Sequence, residues 1–378
     1  MCAELDVECT SARPRKKRGP KNRYVQALRE QLDGVASLGS DHEHHDLEAI
    51  APRNILQHII DDWFDWIHPV APILHRSHFM RRFDGGAGLD RERSASFFLL
   101  VASISAATVT SLRRRRDRYG TVTVDTCLEL AENLKLWSST SRVTLGRTLT
   151  LYNFSSAVHH EYGIDSPLAH RLSGESSISV LYLGQQLDQM SFMEQQILKR
   201  VYWLIYAGQC TSDMHGRRLL FLRQAHEPVA HLLPMSVADD QLLQGPISTP
   251  TEVTSPDYSY VTGLNALSRL FLVWQSSQAV PVQTMANLQE HIARAHQALN
   301  GMPPELTGPN QTDYFGFNVQ KVNLKVTQLH IRANLLEQMN TLAKQQGISD
   351  HARRHHQRAA PGCGRTAQCI VHDAGSSI

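Results

Sequence analysis

From Pro52 to about residue 345 the apolar residues recur at spacings of three and four, and no alternating run with hairpin turns interrupts them. That period suits a helix with one buried face and rejects a strand, whose side chains change sides at every residue. The pattern predicts one large all-α domain over residues 52–345. Leu56, Ile59, Ile60, Trp63 and Ile67 share a face, and Pro52 suits the first turn of their helix. Pro69 and Pro72, in HPVAPILHRSHFMRRF, break it. Further helices are predicted over about 94–111, 122–137 and 145–162. Asp165 or Ser166 can cap the next one with Pro167 early in it, and Leu168, Leu172 and Leu181 supply its apolar side. Ser191 and Glu194 form a capping box ahead of Ile197, Val201 and Leu204, with Gly208 helping to end that helix. Later helices are predicted over about 261–277, 284–299 and 318–342. No fixed repeat period is evident, which argues against a regular solenoid.

A chain of 378 residues with 42% hydrophobic content can bury a substantial core without disulfide support. Its six cysteines, Cys2, Cys9, Cys127, Cys210, Cys363 and Cys369, are sparse and irregular, which fits a reducing compartment better than a secreted scaffold. No apolar core follows the basic N-terminus, and no apolar run approaches the roughly 20 residues needed to span a bilayer. The chain is therefore expected to be intracellular and soluble, with no membrane partner. The net charge of +2 hides an asymmetry: Arg13, Arg15, Lys16, Lys17, Arg18, Lys21 and Arg23 carry seven positive charges without an acid among them, leaving the rest formally −5. A basic arm on a mildly acidic body points to a nucleic-acid contact or an address signal. Residues 1–23 form this polar, largely disordered head. Residues 24–51 hold a short helix and a linker, and residues 346–378 lose the period and read as a disordered tail. Val25, Leu28 and Leu32 share a helical face; the alternatives are the start of a dimerising coiled coil and a capped local helix.

Cys2 and Cys9 are separated by six residues and followed by TSARPRKKRGPKNRY. This segment resembles the last third of a fungal zinc binuclear cluster and its linker, a family whose six cysteines run C-x2-C-x6-C twice. By that resemblance Cys2 matches the fifth zinc ligand and Cys9 the sixth. The first four, and the base-reading helix among them, have no counterpart in these residues, so the reading expects an N-terminally truncated cluster. Two thiolates cannot complete even one tetrahedral zinc site, and zinc binding and folding are one event in so small a module. Cys2 and Cys9 would therefore bind zinc only if the missing cysteines were supplied upstream. The seven basic residues can neutralise phosphates without reading sequence, and they also form a nuclear import candidate. A solvated charge run is the plain alternative.

The body extends the resemblance. DWFDWIHPVAPILHRSHFMRRF is similar to the entry of the regulatory middle region of fungal zinc-cluster transcription factors, and SFMEQQILKRVYWLIYAGQCTSDMHGRRLLFLRQAHEPVAHLLP to its interior. The resemblance implies a nuclear RNA polymerase II transcription regulator with zinc as cofactor. Its implied partners are DNA, a corepressor or coactivator, and a small-molecule effector. The alternative is a truncated regulator without specific DNA binding that acts by binding a partner protein or metabolite.

Other candidates carry less. DHEHHD at 41–46 has metal-binding residue types but a linker's composition. His159 and His160 are not spaced as His-Glu-x-x-His and read as packing or surface residues. GGAG at 85–88 lacks the strand and helix that a phosphate loop needs, and VYWLIY at 201–206 reads as core. Cys210 near His215 reads as a buried thiol rather than a nucleophile pair, and RRRRDR at 113–118 as a solvated helix end or a second basic contact. No catalytic constellation emerges, so the chain is expected not to be an enzyme; a helical enzyme is a remote alternative.

Overall fold

SFFLLVASISAATVTSL, near residue 100, has almost no polar face, and a helix apolar on every side belongs in the middle of its domain. In the computed structural model it is the buried α3, Arg91–Ser111, with Val101, Ala102, Ser103, Ser105, Ala106 and Thr108 all but inaccessible. Its small residues let neighbours approach closely. The hydroxyls of Ser103, Thr108 and Thr110 donate to the carbonyls of Leu100, Ile104 and Ala106 at 2.8–2.9 Å, which lets polar side chains sit in the core.

The structure describes residues 46–85, 91–137, 142–217, 222, 232–244, 259–308 and 315–345. Cys2, Cys9, the seven basic residues of the head, the Val25–Leu32 face, most of the 41–46 acidic and histidine run, and the 346–378 tail lie outside them. Among the described residues every regular element is helical. α1 (Arg53–Asp62) runs into a π-turn (Trp63–Ile67) and is followed by α2 (Arg76–Asp84) and α3. A 3₁₀ segment (Arg113–Tyr119) leads to α4 (Val124–Asn133), α5 (Leu145–Tyr162), α6 (Pro167–Gly184) and α7 (Phe192–Met214). α8 (Val261–Gln278), α9 (Met285–Gln297), the single turn α10 (Pro304–Thr307) and α11 (Phe315–Gln345) complete the order. Neighbours in sequence mostly pack on one another: α3 lies against α1, α4 and α5, then α5 on α6, α6 on α7, and α7 on α8. α9 and α11 close over α8 and over each other.

The start signals hold at residue level. Ser166 caps α6 with Pro167 in its first turn. Ser191 and Glu194 form the reciprocal capping box of α7, the serine amide donating to the glutamate at 3.0 Å. Thr144 caps α5. Three expectations are corrected. Gly208 does not help end its helix: α7 continues to Met214 because Thr211, Cys210 and Met214 still pack on neighbouring helices. Leu181 is 46% exposed, and the buried side of α6 is made instead by Ala169, Leu172, Ser176, Val180 and Leu183. Pro52 stands at the N-cap of α1 rather than inside its first turn.

The arginine run is partly tied down. Asp62, 5% exposed at the end of α1, accepts from Arg115 at 2.5 Å, from the Tyr119 hydroxyl at 2.9 Å and from Arg118 at 3.5 Å. Arg113 donates to the carbonyl of His160 at 2.5 Å, while Arg114 and Arg116 are exposed on the same segment. The 3₁₀ segment is thereby fixed to α1 and α5. Removing a buried carboxylate that holds two cations and a hydroxyl is costly, so Asp62→Ala should lower stability by about 3 kcal/mol. Tyr119→Phe, which loses one hydrogen bond, should cost about 1 kcal/mol. Urea unfolding of the two variants checks the order.

Candidate functional site

The stretch His68 to His75 contains two prolines and has little regular structure of its own; the Ala71 carbonyl is paired within it at 2.8 Å, and those of Pro69 and Pro72 need partners from elsewhere. They get them from distant helices. Arg200, fully buried on α7, donates from Nη1 to the Pro72 carbonyl at 3.0 Å and to Asp239 Oδ1 at 2.8 Å. Gln320, on the buried side of α11, donates to the carbonyls of Pro69 and Tyr260, both at 2.6 Å. Gly263 faces the Gln320 amide so closely that a β-carbon there would stand 2.5 Å from it, so glycine leaves the room this bridge needs. The two-proline turn is thus pinned between α7, α8 and α11, and a cavity lies against each of its sides.

The first is a cleft of about 870 Å³ bounded by the π-turn, the start of α2, residues 238–240 and the first turns of α8 and α11. Five charged residues line it: Asp65, Asp239, Asp240, Arg76 and Arg115. Its aromatic wall is built by Trp66, with Phe315 at a ring separation of 4.4 Å and the Arg115 guanidinium 4.4 Å above the indole. Arg76 sits 3.7 Å from Asp61 and 3.8 Å from Asp65, and burial raises the pKa of Asp65. Gly316 permits α11 to start under Tyr260, because any β-carbon there would overlap the Tyr260 ring.

Two histidines stand at the inner end of this cleft. His68 is enclosed by Trp63, Phe64 and Tyr260, with ring centroids at 5.4, 5.4 and 5.9 Å. Burial holds its pKa down to about 4 against the opposing pull of Asp239, whose carboxylate lies 3.8 Å from Nε2. The imidazole is neutral at pH 7. His75 Nδ1 accepts from the His78 amide at 3.2 Å, which places the neutral ring's proton on Nε2, 3.7 Å from Asp240.

The second cavity, about 450 Å³, lies between α5, α6 and α7 and is closed at its sides by α8 and α11. Ile67 at the end of the π-turn and Val70 and Ala71 of the two-proline turn form part of its wall. Leu204, Ile205, Leu267 and Phe271 make it apolar, and serine and threonine side chains with His159, His160 and His170 supply its polar groups. No Asp, Glu, Lys or Arg is among the described residues that line it. Both volumes are of the size that holds a small organic molecule.

Sequence reasoning located neither cavity, although Pro69 and Pro72 between His68 and His75 mark the stretch that divides them. Cys210 is a buried thiol whose pKa burial pushes up to about 12, and the His215 ring is turned to the Thr211 carbonyl at 2.8 Å. The structure thus leaves that thiol protonated and far from a nucleophile's chemistry. Trp203 and Tyr206 of VYWLIY are fully buried core residues; the Trp203 indole donates to Leu232 and the Tyr206 hydroxyl to Gln275. Of the 41–46 run only Asp46 is described, and it caps a 3₁₀ turn by accepting from the Glu48 amide at 3.0 Å. The residues described offer zinc no site: Cys127 and Cys210 are buried thiols, and no three His, Cys, Asp or Glu side chains group as metal ligands. Among the described residues no helix is long and apolar enough to cross a membrane.

The fold and its cavities define an all-helical domain with room for small molecules. Over 59 residues, 16% of this chain and 6% of the other protein, the chain is 32% identical to cutinase transcription factor 1 alpha of Fusarium vanettenii. The similarity is to a fungal transcription factor and spans a small part of that protein's length. No family model and no solved structure matches the chain.

The buried neutral His68 sets a pH dependence. Its folded pKa of about 4 lies below the ordinary 6.5, so in acid the unfolded chain takes up the proton first. Stability is fully present above pH 6.5 and is lost as pH falls toward 4, by roughly 3 kcal/mol for a shift of this size. Urea unfolding at about pH 7 and about pH 4 should show that loss, and His68→Phe should flatten the dependence by a similar amount.

Proposed function

We propose that this chain is a transcription regulator of the fungal zinc-cluster type, non-enzymatic and nuclear, acting on RNA polymerase II promoters. In this reading Arg13, Arg15, Lys16, Lys17, Arg18, Lys21 and Arg23 contact DNA phosphates and serve nuclear import, and the helical body regulates the whole. The observation that carries it is the 59-residue similarity to a fungal transcription factor. The order of the sequence supports it as well: a cysteine pair, a basic run, a linker and then a large helical domain. The body's partners would be a corepressor or coactivator and a small-molecule effector, and Val25, Leu28 and Leu32 offer a homodimer contact.

Zinc enters this reading through Cys2 and Cys9 alone, and two thiolates do not close a tetrahedral site. Four further cysteines upstream would complete the cluster and supply specific base readout. Without them the chain would be a regulator that lacks specific DNA binding and acts through what its helical body binds, the second reading.

Titrating a fluorescent duplex with the purified chain over a range of salt separates the two. Phosphate contacts by all seven basic residues predict a log–log salt slope of roughly −6, with equal affinity for unrelated sequences. Replacing the seven with glutamine should remove nearly all of the slope. Sequence-specific binding with two zinc ions per chain would sink the second reading, and absence of any salt-dependent binding would sink the first.

A further inference from the structure

We propose that the cavity between α5, α6 and α7 is a binding site for an uncharged, amphipathic organic molecule, and that this molecule is the effector of the helical body. The effector role rests on reading that body as the chain's regulatory part; the binding itself does not.

Charge chooses the class of ligand. The larger cleft carries three carboxylates and two guanidinium groups, whereas the described lining of this cavity carries no Asp, Glu, Lys or Arg. A carboxylate or ammonium brought here would lose hydration and find no opposite charge among the described lining residues, which is unfavourable. His159 and His160 do not repair this for an anion: burial lowers the pKa of both, and the nearby rings of His160, His215 and His170 lower that of His159 further. An uncharged molecule escapes that cost, and its apolar part meets Leu204, Ile205 and Phe271.

Hydrogen-bonding capacity is left over where such a molecule would need it. Tyr152 lines the cavity, and its hydroxyl bonds to no described protein group. Burial alone raises its pKa, with no hydrogen bond or charge contributing. The His160 ring donates from Nδ1 to the Ser156 carbonyl at 2.9 Å, which leaves Nε2 as an acceptor. A ligand hydroxyl, carbonyl or ether can therefore accept from Tyr152, and a ligand hydroxyl can donate to His160.

Gly208, an exposed residue in the interior of α7, lies at the edge of this space. Glycine is unfavourable in the interior of a helix relative to alanine. Its backbone is ordinary helix, and a β-carbon added there would meet nothing within 4 Å, so neither conformation nor packing calls for glycine. A larger side chain at this position has open space around it, enough to reach over the cavity that Gly208 lines.

The test uses the purified full chain with Nile red, an uncharged solvatochromic dye, and three competitors that share one alkyl chain: decanol, decanoate and decylammonium. The expected result is saturable binding of one dye per chain with a blue-shifted emission. Decanol should displace it at a concentration at least about tenfold lower than either ion, the discrimination a missing counter-charge gives. Gly208→Phe should abolish dye binding while leaving the circular dichroism spectrum unchanged and the thermal midpoint no lower. Tyr152→Phe should weaken decanol by about fivefold to tenfold, one hydrogen bond's worth, and carries the test should Gly208→Phe fail to fold. Absent or non-saturable dye binding, indifference of binding to both variants, or displacement by an ion as readily as by decanol each overturns the proposal. Because no DNA is present, dye binding without DNA binding counts against the transcriptional reading alone. DNA binding without dye binding counts against the cavity alone.

Discussion

Arg200 and Gln320 hold the two-proline turn from 128 and 251 residues away, and most of what the helical body offers a ligand depends on those bonds. The carbonyls of Pro69 and Pro72 take their donors from outside the turn, and burying them unpaired would cost more than a typical hydrogen bond contributes. Side chains from α7 and α11 supply the donors, so the turn can run through the interior instead of over the surface. Arg200 is itself completely buried, and Asp239 supplies its counter-charge at 2.8 Å. A buried pair of this kind contributes less to net stability than to uniqueness, because losing either partner leaves an uncompensated group behind.

The pinned turn divides two environments that differ in electrostatics more than in size. On one side His68 and Pro72 face carboxylates, guanidinium groups and an aromatic wall. On the other, Ile67, Val70 and Ala71 face a cavity whose described lining has no charged residue. A small displacement of the turn would alter both spaces together, since neighbouring residues of one short stretch wall each. That shared wall gives the regulatory reading of the body a physical element on which to act, with one cavity's contents able to bias the shape of the other.

Buried glutamines play the same role elsewhere. Gln328, two turns beyond Gln320 on the buried stripe of α11, donates to the carbonyls of Ala295 and His296 at 2.9 and 3.0 Å, satisfying the last turn of α9. α11 thus joins the first and the last parts of the domain through polar bonds set in an otherwise apolar seam that includes Phe317, Leu324, Ile331 and Leu335. Asp62 does the same for the arginine segment, holding Arg115 where its guanidinium covers Trp66 at the edge of the charged cleft.

The sequence alone determined that this body is helical and where most helices start, because periodicity and caps are local: Ser166 with Pro167 and the Ser191–Glu194 box work within one turn of chain. It also marked the polar, basic head, whose charge needs no fold to be read. Two local readings failed where tertiary packing outweighed a local signal: Gly208 looked like a helix end and lines a cavity, and Leu181 looked buried and is exposed. In the arginine run Asp62 holds Arg115 and Arg118, while Arg114 and Arg116 are exposed. Neither cavity was legible, since each is assembled from residues scattered over more than 200 positions that no short-range pattern links. What the sequence determined follows from interactions within a few residues, whereas the partition of the interior into charged and uncharged spaces was decided by side chains that reach the two-proline turn only once the helices have packed.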